Sequence, residues 1–208
     1  MNRTFAPASP LVEYGTSSVI AYGQHESGDQ YLVQNTPLGT LVAVVDGSGH
    51  GKEAARVARL AVTTVEAHFH EGLIPLIRRC HERLKNTRGA VISLVSFCGS
   101  ENTMTWLGVG NVQGLLLRGT PSSNVRDEEM LLRPGLVGYR LPPLQAVTTP
   151  VSPGDLLILT TDGIRGEFGR TLPSDDAPGK IADYISSGFR LGQDDALALV
   201  VRYLGWNQ

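Results

Sequence analysis

The sequence predicts an α+β fold in which antiparallel sheets are covered by helices, and three observations lead there. Strand-like runs follow one another in meander order, joined by short Gly, Asn or Pro turns, which implies antiparallel pairing. Two consecutive helical patterns interrupt them after three strands, which disfavours strict βαβ alternation. Two apolar runs, Leu41 to Val45 and Leu156 to Thr161, end in Asp-Gly, at Asp46-Gly47 and Asp162-Gly163. A strand that stops on a carboxylate, with a glycine to turn the chain behind it, presents an acid at the rim of a sheet.

Taken in order, Val12 to Tyr22, Gln30 to Asn35 and Gly39 to Val45 read as strands, the last two joined through Thr36-Pro37-Leu38 in a hairpin. From Lys52 to His70 the period changes. Ala54, Val57, Ala58, Ala61, Val65 and Phe69 recur at three- and four-residue spacing while Arg56, Arg59, Thr63 and Glu66 fall on the other side, the pattern of an amphipathic helix. Gly72 ends it, and Pro75 in a first turn starts a second helix through Lys85. Strands are expected at Ala90 to Cys98, Thr103 to Val109, Gln113 to Arg118, Met130 to Arg133, Gln145 to Thr149 and Asp155 to Thr161. Pro178 to Ser187 is a third helix and Ala196 to Tyr203 a final strand; Gly119 to Glu129, polar and irregular, is read as a surface loop. The layers that follow are sheet on sheet with helices outside.

The chain has 208 residues, enough for one domain with a sizeable core, and no repeat or linker marks a boundary. A net charge of −2 gives no electrostatic reason to expect nucleic acid or an anionic membrane. The opening Met1-Asn2-Arg3-Thr4-Phe5-Ala6-Pro7 lacks the apolar core of a secretory signal, and no apolar run approaches the roughly 20 residues of a membrane span, so a cytoplasmic setting is expected. Cys80 and Cys98 are too far apart for a CxxC motif and are read as small buried hydrophobes.

Chemistry gathers on acids. Asp29 lies just ahead of the second strand, and Asp46 ends the strand that pairs with it across the hairpin. Asp162 ends a later strand and Asp194 opens the last, an order that permits all four carboxylates to meet at one edge of a two-sheet core without requiring it. At 4 Å, with an effective dielectric near 20, each ionised pair repels by about 4 kcal/mol. A divalent cation is the natural compensation, and an all-oxygen donor set with no Cys pair or helical His pair points to Mg²⁺ or Mn²⁺ rather than Zn²⁺. Asp46 as a bridging carboxylate suits two ions flanking an attacking water. Taken singly, each Asp-Gly is a turn; the combination carries the weight. Asp195 is read as a solvated neighbour rather than a helper in the site. His50 has two readings, a proton donor to a leaving alkoxide and a turn residue.

Two glycine-based rivals fail on particular residues. Gly49-His50-Gly51-Lys52-Glu53-Ala54 fits the dinucleotide fingerprint, yet the acid expected about 20 residues on falls inside a helix, and another helix follows. In the P-loop pattern, Glu53 stands where Ser or Thr must hold Mg²⁺ and Asp46 where the first glycine belongs.

Ser27-Gly28-Asp29, Val45-Asp46-Gly47-Ser48-Gly49-His50-Gly51, Thr160-Thr161-Asp162-Gly163-Ile164 and Gln193-Asp194-Asp195 resemble, in order and spacing, the PPM metal-dependent serine/threonine protein phosphatases, specifically their SpoIIE-like bacterial branch. Gly135-Leu136-Val137-Gly138-Tyr139 and Leu141-Pro142 look most like the stressosome phosphatases of that branch. The resemblance covers about Val12 to Tyr203. It implies a single domain over 1–208, with a core of about 12–204, built as an α-β-β-α sandwich with two Mn²⁺ or Mg²⁺ ions at one end. Asp46 would bridge the ions, the Gly47 carbonyl would hold one, Asp162 and Asp194 would complete the other, and Asp29 would act through metal-bound water. The implied reaction is removal of phosphate from serine or threonine by a metal-activated water without a covalent intermediate, on phosphorylated stressosome scaffold proteins (RsbS/RsbR-like). Gly28 departs from the glutamate that many members outside this branch carry, and Ala21 to Ser27 lacks their phosphate-gripping arginine. A phosphoprotein-binding adaptor without turnover is the alternative.

Overall fold

The computed structural model describes residues 10–36, 39–119, 127–170 and 172–206. The strands are β1 (Val12–Val19), β2 (Asp29–Thr36), β3 (Gly39–Gly47), β4 (Ala90–Cys98), β5 (Thr103–Val109), β6 (Gln113–Leu117), β7 (Glu128–Glu129), β8 (Val147–Pro150), β9 (Leu156–Thr160) and β10 (Ala196–Tyr203). The helices are α1 (Gly51–Ala67), α2 (Leu73–Leu84) and α3 (Pro178–Phe189), with a short 3₁₀ turn at Gly166–Arg170.

The strands form two antiparallel sheets, ordered β1-β10-β9-β6-β7 and β2-β3-β4-β5-β8. Three apolar layers hold four tiers together. Between the sheets, Val42, Val44, Val95 and Trp106 meet Leu157, Leu159, Leu197 and Leu199. Outside one sheet, Ala43, Val45, Ile92 and Leu94 pack under Val57, Ala58, Ala61, Leu76 and Ile77 of α1 and α2. Outside the other, Ile158, Ala198 and Val200 pack under Ile181, Ala182 and Ile185 of α3. A central strand such as β3 is buried on both faces, which explains why it reads as a continuous apolar run rather than an alternating one. The expected α-β-β-α sandwich is the observed architecture.

The helical stripe of α1 is buried as its spacing predicts, at Ala54, Val57, Ala58, Ala61 and Val65. Phe69 lies beyond the helix end and is only partly buried. Differences from expectation have local causes. The first strand stops at Val19, not Tyr22, because the backbone turns aside: Ala21 N donates to Asp195 Oδ1 at 2.8 Å and Tyr22 N to Gln193 O at 2.8 Å. Met130 to Arg133 is not a strand, although it follows the edge through Met130 N to Gly114 O and Gly110 N to Arg133 O. The edge strand is instead Glu128–Glu129, inside the segment read as loop; residues 120–126 of that segment lie outside the described residues, as do Pro37 and Leu38 of the hairpin turn. Cys80 is buried, its thiol pushed up to about 12 by burial, whereas Cys98 is half-buried rather than buried.

Candidate metal centre

The hairpin register sets Asp29 directly opposite Asp46, an outcome that follows from β2 and β3 pairing in phase from Thr36↔Gly39 onward. On the other sheet β9 and β10 are antiparallel neighbours, so the residues after Thr160 and those before Ala196 leave at the same edge. The two edges coincide. Asp29 and Asp46 from one sheet and Asp162, Asp194 and Asp195 from the other line one cleft of about 180 Å³, together with Ser48, Gly49 and Asn111.

The carboxylates differ in how they are held. Asp29 is buried, 3% exposed, and its Oδ2 accepts the Thr161 hydroxyl at 2.7 Å; that same oxygen of Thr161 accepts Leu197 N at 2.9 Å. Asp162 Oδ2 accepts Asn111 Nδ2 at 2.8 Å, and Asp194 Oδ1 caps Asp195 N at 2.9 Å. The Asp46 carboxylate makes no hydrogen bond among the described residues. Burial pushes the Asp29 carboxyl up to about 7, held back in part by the Thr161 hydroxyl, with Asp195, Asp162 and Asp194 adding repulsion. Burial pushes Asp46 further, to about 8, and the neighbouring Asp29 charge is its next largest cause. Such acids ionise readily only beside a cation.

The donor set fits a hard divalent ion: carboxylates from two sheets, no thiol and no imidazole among the lining residues. Among the described residues, however, no three His, Cys, Asp or Glu side chains already stand as a closed coordination group. One oxygen each of Asp29, Asp162 and Asp194 is engaged by a protein donor, and the other oxygen of each accepts none among the described residues.

Asp195 corrects the sequence reading. It is 4% exposed rather than solvated, and its two oxygens accept Ala21 N and Gly28 N, both at 2.8 Å. It thereby fixes the loop that delivers Asp29. Gly28 has no room for a glutamate: a Cβ there would lie 2.9 Å from the Ala54 methyl and 3.2 Å from Asp195 Oδ2. Gly47 is buried under α1, where a Cβ would lie 2.2 Å from Ala54 O, and its carbonyl oxygen faces the Gly28 position, 3.3 Å from where a Cβ there would lie. His50 is exposed at the N-cap of α1, makes no side-chain cap bond and is not among the lining residues. Sequence reasoning missed Asn111 and Thr161. The threonine before Asp162-Gly163 was a signal within reach; Asn111, in the β5–β6 crossover between sheets, carried none.

A family model described as Stage II sporulation protein E (SpoIIE) matches residues 37–203. The chain is 30% identical over 94 residues to the phosphoserine phosphatase RsbX of Bacillus subtilis (strain 168), a stretch covering 45% of this chain and 47% of that protein, so the match spans about half the length of the curated relative. A chain solved under the description "The bacterial stressosome: a modular system that has been adapted to control secondary messenger signaling" superposes with a TM-score of 0.83 at 28% identity, over 92% of this chain and 99% of that one. RsbX in complex with magnesium superposes with a TM-score of 0.80 at 21% identity, over 92% of this chain and 94% of its own, a likeness of fold. With the family model matched across most of the sandwich and all the cleft carboxylates from Asp46 onward, the chain belongs to the SpoIIE family of PPM-type phosphatase domains.

Proposed function

We propose that this chain is a divalent-metal-dependent phosphoserine/phosphothreonine protein phosphatase, folded as one domain, that acts in the cytoplasm on phosphorylated stressosome scaffold proteins of the RsbS/RsbR type. The observation that carries the proposal is the convergence of Asp29 and Asp46 with Asp162 and Asp194, from two different sheets, on one cleft. The names of the relatives supply the substrate class. No helix among the described residues is long and apolar enough to cross a membrane.

In this reading Mn²⁺ or Mg²⁺ is held by Asp46, Asp162 and Asp194, with Asp29 beside them and the Gly47 carbonyl as a further oxygen donor. When bound, such ions supply Lewis acidity toward the phosphoryl oxygens and make water acidic enough to attack at neutral pH. The protein's own part is positioning. Thr161 and Asn111 hold one oxygen each of Asp29 and Asp162, leaving the second oxygen free. Asp195 braces the Ala21–Gly28 loop so that Asp29 stays opposite Asp46. Ser48 is the one hydroxyl, and there is no Cys or His, among the described residues that line the cleft, which favours direct attack by water over a covalent route through a Ser–His or Cys–His pair.

Purified protein incubated with a phosphorylated RsbS-like substrate should release phosphate only with Mn²⁺ or Mg²⁺, and Asp46→Asn and Asp162→Asn should each abolish release. Metal-independent release, or release unaffected by both substitutions, would sink the proposal. Phosphoprotein binding without turnover would instead support an adaptor.

A further inference from the structure

We infer that Arg88 is the residue that receives the phosphoryl dianion at the rim of the carboxylate cleft, an inference that rests on the phosphatase reading above. Arg88 lies in the turn between α2 and β4, where Asn86 and Gly89 adopt φ of 64° and 77°. That turn is fastened to the cleft wall: Ser48 N donates to Gly89 O at 3.0 Å, and Ser48 and Gly49 both line the cleft. The guanidinium lies over the same wall. A Cβ on Gly49, whose φ is 91°, would stand 3.0 Å from Arg88 Nη1, so the glycine leaves the space that the arginine occupies.

Charge gives the position its meaning. The described lining residues include five carboxylates and neither Lys nor Arg. A phosphoserine dianion approaching them is repelled, and a divalent cation offsets only part of that field. A planar guanidinium at the rim supplies donors matched to phosphate oxygens, which a hydrated point charge does not. Arg88 is exposed and, among the described residues, makes no ion pair or hydrogen bond, so its donors are free. Nearby arginines are committed elsewhere. Arg190 reaches the carbonyls of Ile20 and Asp194 at 3.5 and 3.4 Å, and Arg59 pairs with Glu26 at 2.7 Å.

The probe is inorganic phosphate, titrated calorimetrically into Mg²⁺-loaded wild type, Arg88→Ala, Arg88→Lys and the control Arg83→Ala, an exposed residue on α2 that does not line the cleft. Arg88→Ala should weaken phosphate about 10-fold, the size of one solvent-accessible charge-assisted hydrogen bond, with Arg88→Lys between it and wild type and Arg83→Ala unchanged. In turnover, KM for the phosphoprotein should rise by a similar factor while kcat stays within about 3-fold. An Arg88→Ala affinity within 2-fold of wild type, an equal loss in Arg83→Ala, or no phosphate binding by wild type overturns the inference. Because phosphate binding needs no turnover, a protein that binds phosphate through Arg88 yet hydrolyses nothing refutes the phosphatase reading alone.

Discussion

Replacing Asp46 by asparagine should make the metal-free protein more stable at neutral pH, although it removes a residue at the heart of the proposed centre. Asp46 ionises at 3.8 in an unperturbed chain and at about 8 in the folded protein. A carboxyl whose folded value is raised contributes nothing unfavourable below the unfolded value, and costs stability progressively as pH climbs from there toward the folded value. At pH 7.5 the ceiling is about 3.7 units, or roughly 5 kcal/mol at 1.36 kcal/mol per unit. Two effects lower it: Asp46 is only partly buried, and part of its penalty is shared with Asp29, since protonating either acid relieves the other. A gain of about 1–3 kcal/mol remains, equivalent to a rise of about 2–10 °C in Tm for a chain of this size. Thermal melts in EDTA at pH 7.5 and pH 5 measure it. The advantage of Asp46→Asn should shrink about threefold at pH 5, and adding Mn²⁺ should stabilise wild type but not the variant. An asparagine variant less stable than wild type in EDTA at pH 7.5, or a gap that does not narrow at pH 5, would refute the account of the cleft as a store of unrelieved charge.

Thr161→Val should cost about 1–3 kcal/mol, because it strips a donor from buried Asp29 and an acceptor from Leu197 N, and it should raise the Mn²⁺ concentration needed for half-maximal activity several-fold; an unchanged metal titration would count against it. Gly28→Ala should lose about 1–3 kcal/mol through collision with Ala54 and Asp195, measured by urea titration, and Gly28→Glu should be worse instead of creating a better metal site. His50→Ala should retain kcat within about 3-fold on phosphoprotein and aryl phosphate alike, since the residue is exposed and not among those lining the cleft. A loss confined to the poorer leaving group would make His50 the acid.

Much of this architecture was written in local pattern. Ala90–Cys98 and Thr103–Val109 carry boundaries that the sequence marks with Gly or Asn, and the hairpin made the meeting of Asp29 with Asp46 legible. What stayed hidden depends on distant backbone. Asp195 looked like the solvated twin of Asp194, and only the return of the Ala21–Gly28 loop buries it under two N–H donors. Glu128–Glu129 looked like loop because an edge strand of two residues has no periodicity to show, and its pairing is set by β6. His50 sat among glycines between a strand and a helix, a setting that suits both a catalytic turn and a helix start; its exposure at the N-cap could be read only from the fold.

The Thr161 hydroxyl, joining Leu197 of one sheet to Asp29 of the other, shows that the centre is divided between two slabs that touch through side chains. An ion seated there would act as a rivet across the seam, and its grip would depend on how far one slab slides over the other. That alignment is set by Val42 and Val44 against Leu197 and Leu199 in the apolar layer between the sheets. Methyl groups in the middle layer would therefore tune ion affinity, and so would α1, which presses Ala54 against Gly28 and Gly47 beside the centre.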